Sequence, residues 1–137
     1  MALKPRKFDS GKVQRLPLTA STAVTKHNLV KMASGYLVAG AAGDNEVEYV
    51  CLETVTDVTA VNGGTYVDVL PIDNVLEFEA LVSTTPVQAT HVGNDYDVSD
   101  AATIDLGATT DKVFHIDRIL NAADALVIGR FNKPAIA

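Results

Sequence analysis

Apolar and polar residues alternate with a period of two at several places along this chain, the pattern of a strand that buries one face. In Val75-Leu76-Glu77-Phe78-Glu79-Ala80-Leu81-Val82 the even positions are all apolar, and Glu77 and Glu79 share the opposite face. Val113-Phe114-His115-Ile116-Asp117 repeats the pattern, with Phe114 and Ile116 inward and His115 and Asp117 outward. Thr65-Tyr66-Val67-Asp68-Val69 and Glu46-Val47-Glu48-Tyr49 follow the same period. Turn signals separate these runs: Ser34-Gly35, Gly43-Asp44-Asn45, Asn62-Gly63-Gly64, Gly93-Asn94-Asp95 and Asn121-Ala122-Ala123-Asp124. The pattern predicts an all-β fold, a compact antiparallel β-sandwich or small β-barrel of about eight or nine short strands. Only residues 25–32 and 122–125 are compatible with a turn or so of helix.

Composition supports this expectation. Val, Ile and Thr supply 18, 6 and 13 residues of the 137, and these β-branched types favour strands. Pro71 is expected to stop the Val67 strand and Pro86 to mark a loop, because proline cannot donate to a central ladder. A 14.5 kDa chain is enough for one domain with a real core. The apolar fraction of 47% with a net charge of −6 argues against disorder. No apolar run approaches the roughly 20 residues of a membrane-spanning helix. The basic start is not followed by the apolar stretch of a secretory signal. The single Cys51, set among Tyr49, Val50 and Leu52, excludes an internal disulfide and reads as a small buried hydrophobe.

Charge is distributed unevenly. Residues 1–15 carry Lys4, Arg6, Lys7, Lys12 and Arg15 against one acid, Asp9, whereas residues 32–111 contain fourteen acids and no Lys or Arg. The expected organisation is an extended basic N-terminal arm, 1–15, and a single β domain, 16–137. Such an arm is either a solvated tail or a segment that orders on a partner surface. Phe8, an aromatic among the arm's charges, either packs back on the body or anchors the arm in a partner's pocket. Nucleic acid is a poor partner, since the acidic body repels phosphate and no aromatic interleaving serves base stacking.

The chain shows no nucleophile elbow, phosphate loop, His-Glu-x-x-His or paired cysteines. No catalytic residue and no cofactor is therefore expected. His27, His91 and His115 are far apart in the chain, and His115-Ile116-Asp117 reads as a solvent-facing polar pair. Asp95, Asp97 and Asp100 fall in one stretch where calcium would find oxygen ligands. That stretch lacks the Gly and terminal Glu of an EF-hand loop, so no metal site is assigned.

The order of segments resembles the head decoration, or capsid cement, proteins of tailed bacteriophages. The likeness begins with Leu18-Thr19-Ala20-Ser21-Thr22-Ala23-Val24-Thr25-Lys26-His27-Asn28-Leu29-Val30-Lys31 and Gly35-Tyr36-Leu37-Val38-Ala39. It continues through Val69-Leu70-Pro71-Ile72, Leu76-Glu77-Phe78-Glu79-Ala80 and Val92-Gly93-Asn94-Asp95-Tyr96-Asp97-Val98-Ser99. It ends with Phe114-His115-Ile116-Asp117-Arg118-Ile119-Leu120 and Val127-Ile128-Gly129-Arg130-Phe131-Asn132-Lys133. The basic arm and the Asp-rich stretch depart from the family pattern. The resemblance implies a non-enzymatic protein on the outer surface of the phage head, made in the host cytoplasm. Its partner would be the major capsid protein, bound by a homotrimer that bridges capsid subunits, with no nucleic acid and no membrane involved. On charge grounds Lys4, Arg6, Lys7, Phe8, Lys12 and Arg15 are the expected capsid-binding residues. The alternatives are another virion component (tail tube, spike base or head completion) or a soluble ligand- or calcium-binding β-barrel.

Overall fold

Ser34 and Gly35 both adopt positive φ, +53° and +87°, the geometry of a two-residue hairpin turn whose twist suits antiparallel strands. They join β3 (Leu29–Ala33) to β4 (Tyr36–Ala39), with Ala33 opposite Tyr36. The computed structural model describes residues 3–40, 47–56 and 59–132. Among these residues the remaining strands are β1 (Leu3–Pro5), β2 (Gln14–Pro17), β5 (Tyr49–Cys51), β6 (Tyr66–Pro71) and β7 (Glu77–Leu81). They are followed by β8 (Asp95–Val98), β9 (Ile104–Asp105), β10 (Phe114–Asn121) and β11 (Leu126–Phe131). One short helix, α1 (Gln88–His91), and a 3-10 turn at Ser10–Lys12 complete the regular structure.

The strands form two antiparallel sheets. The larger has the order β1-β7-β11-β10-β8-β9 and the smaller β2-β6-β5-β3-β4. The smaller sheet curls, because an isolated parallel bridge from Leu18 to Leu37 and the bond from Thr19 N–H to the Leu37 carbonyl, 3.0 Å, return β4 to the chain leaving β2. This curl creates two cores. Leu29, Val50, Leu70 and Ile72 face the larger sheet, where they meet Leu3, Phe78, Ala80, Phe114, Ile116 and Phe131. Their neighbours in sequence, Val30, Cys51 and Val69, point the other way and pack with Leu18, Val24, Leu37 and Val67 inside the curl. Strands buried on both faces lose the clean alternation of a half-buried strand. Phe131 packs edge-on against both Phe78 (5.0 Å, 88°) and Phe114 (4.9 Å, 74°), and each such pair contributes about 0.5–1.5 kcal/mol beyond its buried area.

The all-β class is as the periodicity predicts, in a sandwich-like fold with one sheet curled toward a barrel. Several local expectations change. The even positions of the 75–82 run do turn inward on β7, Phe78 and Ala80 being fully buried. The stretch 25–32, compatible with a helical turn in sequence, instead enters β3, because Leu29 and Val30 fill opposite cores. Residues 122–125 make the single turn between β10 and β11. Helix α1 was not legible; its start is held by the Val87 N–H donating to Nδ1 of His91 at 2.8 Å. The turn at 43–45, Glu46 and the tail from Lys133 lie outside the described residues.

The largest change concerns the expected arm, 1–15, of which residues 3–15 are described. These are not a free arm: β1 pairs with β7 and β2 with β6, at the outer edges of the two sheets. Leu3 is completely buried in the main core. Burial of one leucine side chain is worth about 1.5–3 kcal/mol, and acids that pair with Lys4, Arg6 and Arg15 lie on the strands alongside. Both effects draw the segment onto the body.

Candidate functional site

The chain between β1 and β2 crosses from one sheet edge to the other and borders a groove of about 430 Å³. Asp9 starts the 3-10 turn by accepting the Gly11 N–H at 2.9 Å. Opposite, Asp73 shapes the other bank: its Oδ1 accepts the N–H groups of Val75 and Leu76 at 2.9 and 2.8 Å. Burial alone would raise the Asp73 pKa, but those two N–H groups and Lys12 outweigh it and hold the carboxyl below its ordinary value. Leu70, Pro71, Val75 and Leu76 supply the apolar lining, and Arg6, Lys7, Phe8 and Lys12 the opposite rim.

Of the six residues expected to contact a partner, the fold therefore brings four to one groove. Lys4 sits on β1 facing Glu79, and Arg15 lies on β2 in the other sheet. Lys4 pairs with Glu79 at 3.8 Å, Arg6 with Glu77 at 3.9 Å and Lys12 with Asp73 at 3.9 Å. Arg15 reaches Asp68 at 3.0 Å and Glu53 at 3.4 Å. Such exposed pairs contribute about 0–1 kcal/mol each. Their consequence is electrostatic: four of the five cations in the segment are already answered by acids of the body. Among the described residues Lys7 has no hydrogen-bonding or ionic partner. Beside it Phe8 is 43% exposed and Val75 74% exposed. Lys7 and Phe8 thus present an uncompensated charge next to an uncovered ring. Sequence reasoning missed Asp73, Val75, Leu76 and Glu77 as lining residues. Asp73-Asn74 is a turn signal, but its position across from residue 8 depends on the β1–β7 pairing.

The other candidate groups are spoken for. Asp97 is 5% exposed and accepts the N–H groups of Asp111 and Lys112 on Oδ1 at 2.7 and 2.8 Å and that of Thr110 on Oδ2 at 3.2 Å. Asp95 accepts from Asn132 at 2.9 Å and lies 3.0 Å from Nδ1 of His115, while Asp100 accepts the Ala102 N–H at 2.7 Å. Asp95, Asp97 and Asp100 therefore serve three separate local structures and do not converge on a common point. Among the described residues no three His, Cys, Asp or Glu side chains gather as a metal-binding group.

His115 and Asp117 share the outer face of β10, with Nε2 3.8 Å from Oδ1, and Asp117 forks onto Arg130 through two bonds of 3.1 Å. That hydrogen bond and the accompanying charge raise the Arg130 pKa. Cys51 is fully buried; burial, then the nearby Glu53, pushes its thiol up to about 12. Burial, Lys26 and Lys4 lower the pKa of His27, whose carbonyl accepts the Leu3 N–H at 3.0 Å.

No helix among the described residues is long and apolar enough to cross a membrane. The chain matches no protein-family model and no curated protein.

Proposed function

We propose that this chain is a non-enzymatic capsid decoration protein of a tailed bacteriophage, binding the outer surface of the assembled head and stabilising it by bridging capsid subunits. The order of β segments that resembles the cement proteins supports this reading. So does a surface suited to adhesion, in which Phe8 stands exposed on a groove beside Lys7, which has no partner among the described residues. That juxtaposition is the observation on which the contact residues rest. An exposed aromatic that enters a partner's pocket is a typical anchor, and a neighbouring cation steers it toward acidic surface. Cement action needs no bond to be made or broken. A protein that binds the mature lattice better than the unexpanded one shifts the equilibrium by that difference in affinity. Contacts to two or three subunits reinforce one another through effective concentration.

This reading narrows the capsid-binding set. Lys4, Arg6, Lys12 and Arg15 are engaged within the chain, which leaves Lys7 and Phe8 as the primary contact. The experiment is co-sedimentation of purified protein with undecorated, expanded heads. Wild type is expected in the head fraction, and Phe8→Ala with Lys7→Glu is expected to lose at least tenfold in affinity while melting as wild type does. Equal binding by the double variant would remove these residues from the contact, and failure of wild type to bind heads would sink the decoration reading itself.

A further inference from the structure

We propose that β1 is an exchangeable strand, and that crowded copies of this chain dock Leu3–Pro5 of one copy on the β7 edge of another. The inference is independent of head binding. It starts from how β1 is held. Leu3 and Pro5 are its only buried residues, and everything from Arg6 to Lys12 is exposed. The ion pairs along the segment, Lys4–Glu79, Arg6–Glu77 and Lys12–Asp73, are 3.8–3.9 Å long and open to solvent, so they hold it weakly. A short edge strand with this profile opens at much lower cost than the body.

The sheet order makes the exchange one for one. β1 is the last strand beside β7, so its departure breaks a single ladder and uncovers a single edge. That edge selects what replaces it: the register places Leu3 opposite Ala80 and Pro5 opposite Phe78, and the vacated core needs a leucine. The outer side of β1 accepts no further strand. The Leu3 N–H, which points outward, is taken by the His27 carbonyl at 3.0 Å, and Pro5, two residues on and facing the same way, has no N–H to offer. A second copy's β1 is therefore the occupant that fits, and addition stops with it.

The connection is long enough. Residues 6–13 reach at most about 26–29 Å when extended, far enough to enter a neighbour. Closed and exchanged forms bury the same side chains, so the balance is set by concentration. A strand tethered by a short flexible linker experiences an effective concentration on the order of 1 mM. The closed copy dominates in dilute solution, and exchange competes once neighbours are held at comparable density.

The test mixes two single variants of the full chain, Lys4→Cys and Glu79→Cys, whose positions are directly opposite in the β1–β7 register. A disulfide between the two kinds of copy in that register requires exchange, and the fully buried Cys51 stays silent. After incubation at about 1 mM total protein, near the linker's effective concentration, oxidation is expected to give at least threefold more heterodimer than either homodimer. Incubation and oxidation at about 10 µM, well below that value, should give only the random background. Adding Leu3→Asp to the Lys4→Cys copy should return the heterodimer to background. Heterodimer at no more than about twice either homodimer, the ratio random pairing gives, at the higher concentration, or heterodimer unaffected by Leu3→Asp, overturns the proposal.

Discussion

Asp97 Oδ1 lies 2.7 Å from the backbone N of Asp111, so a buried carboxylate on β8 pins the loop that leads into β10. Thr110 and Lys112 donate to the same side chain. Asp97→Ala leaves three N–H groups without an acceptor in a place water reaches poorly. Hydrogen bonds to a charged group are worth about 1.5–3 kcal/mol singly, and shared ones do not add fully. The expected loss is about 2–4 kcal/mol, read as a lower urea midpoint with an unchanged slope. A change under about 0.5 kcal/mol, the ordinary range for a surface substitution, would show that the loop holds without the clasp.

Gly129 on β11 lies opposite Ile116, next to a register irregularity in β10. A Cβ there meets the His115 carbonyl oxygen and comes within 2.6 and 2.8 Å of the Phe114 ring. The carbonyl belongs to a paired strand and has nowhere to retreat. Gly129→Ala is therefore expected to destabilise by about 1–3 kcal/mol through overpacking, with a lower melting temperature as the readout. Gly35 and Gly93 face open space, but their φ values of +87° and +85° make alanine unfavourable there for a different reason, backbone conformation.

Leu3 tests whether the first strand belongs to the fold. Its side chain is fully buried, and Leu3→Ala should cost about 2–5 kcal/mol. Removal of residues 1–15 should cost more, because it also takes Gln14 and Arg15, the first half of β2, from the edge of the curled sheet. An arm that orders only on a partner predicts no stability change in either variant. Chemical denaturation of the three proteins side by side distinguishes these outcomes.

Cys51 makes stability fall at alkaline pH. Its folded pKa, about 12, lies above the ordinary 9.0, so the unfolded chain loses this proton first. The contribution is intact below pH 9 and is lost as pH rises from 9 toward 12. Cys51→Ala should weaken that alkaline decline, whatever its effect on absolute stability. In the native wild-type chain the thiol should resist disulfide reagents at pH 8 and react fully in denaturant. Rapid native labelling would mean that the curled sheet opens readily.

The alternating runs around Phe78 and Phe114 were legible because one face of each meets the main core and the other meets water. β3 and β5 were poorly legible for the opposite reason: Leu29 and Val30, like Val50 and Cys51, serve different cores, so apolar residues stand side by side. Charge misled at the N-terminus. Lys4 and Arg6 read as free cations because their partners, Glu79 and Glu77, lie on a strand far along the chain. The acidic stretch 95–100 read as a possible cation loop, yet Asp97 spends both oxygens on backbone N–H groups contributed by another loop.

By itself, the sequence determined the all-β class, the inward residues of the half-buried strands and the uneven distribution of charge. Each of these depends on neighbours one or two positions away, and local periodicity records it directly. Only the tertiary structure decided that Leu3–Pro5 and Gln14–Pro17 belong to the two sheets and that, among the described residues, Lys7 alone of the segment's cations lacks a counter-ion. Those outcomes follow from cross-strand register, which places side chains of distant segments within a few ångströms and leaves no trace in local spacing.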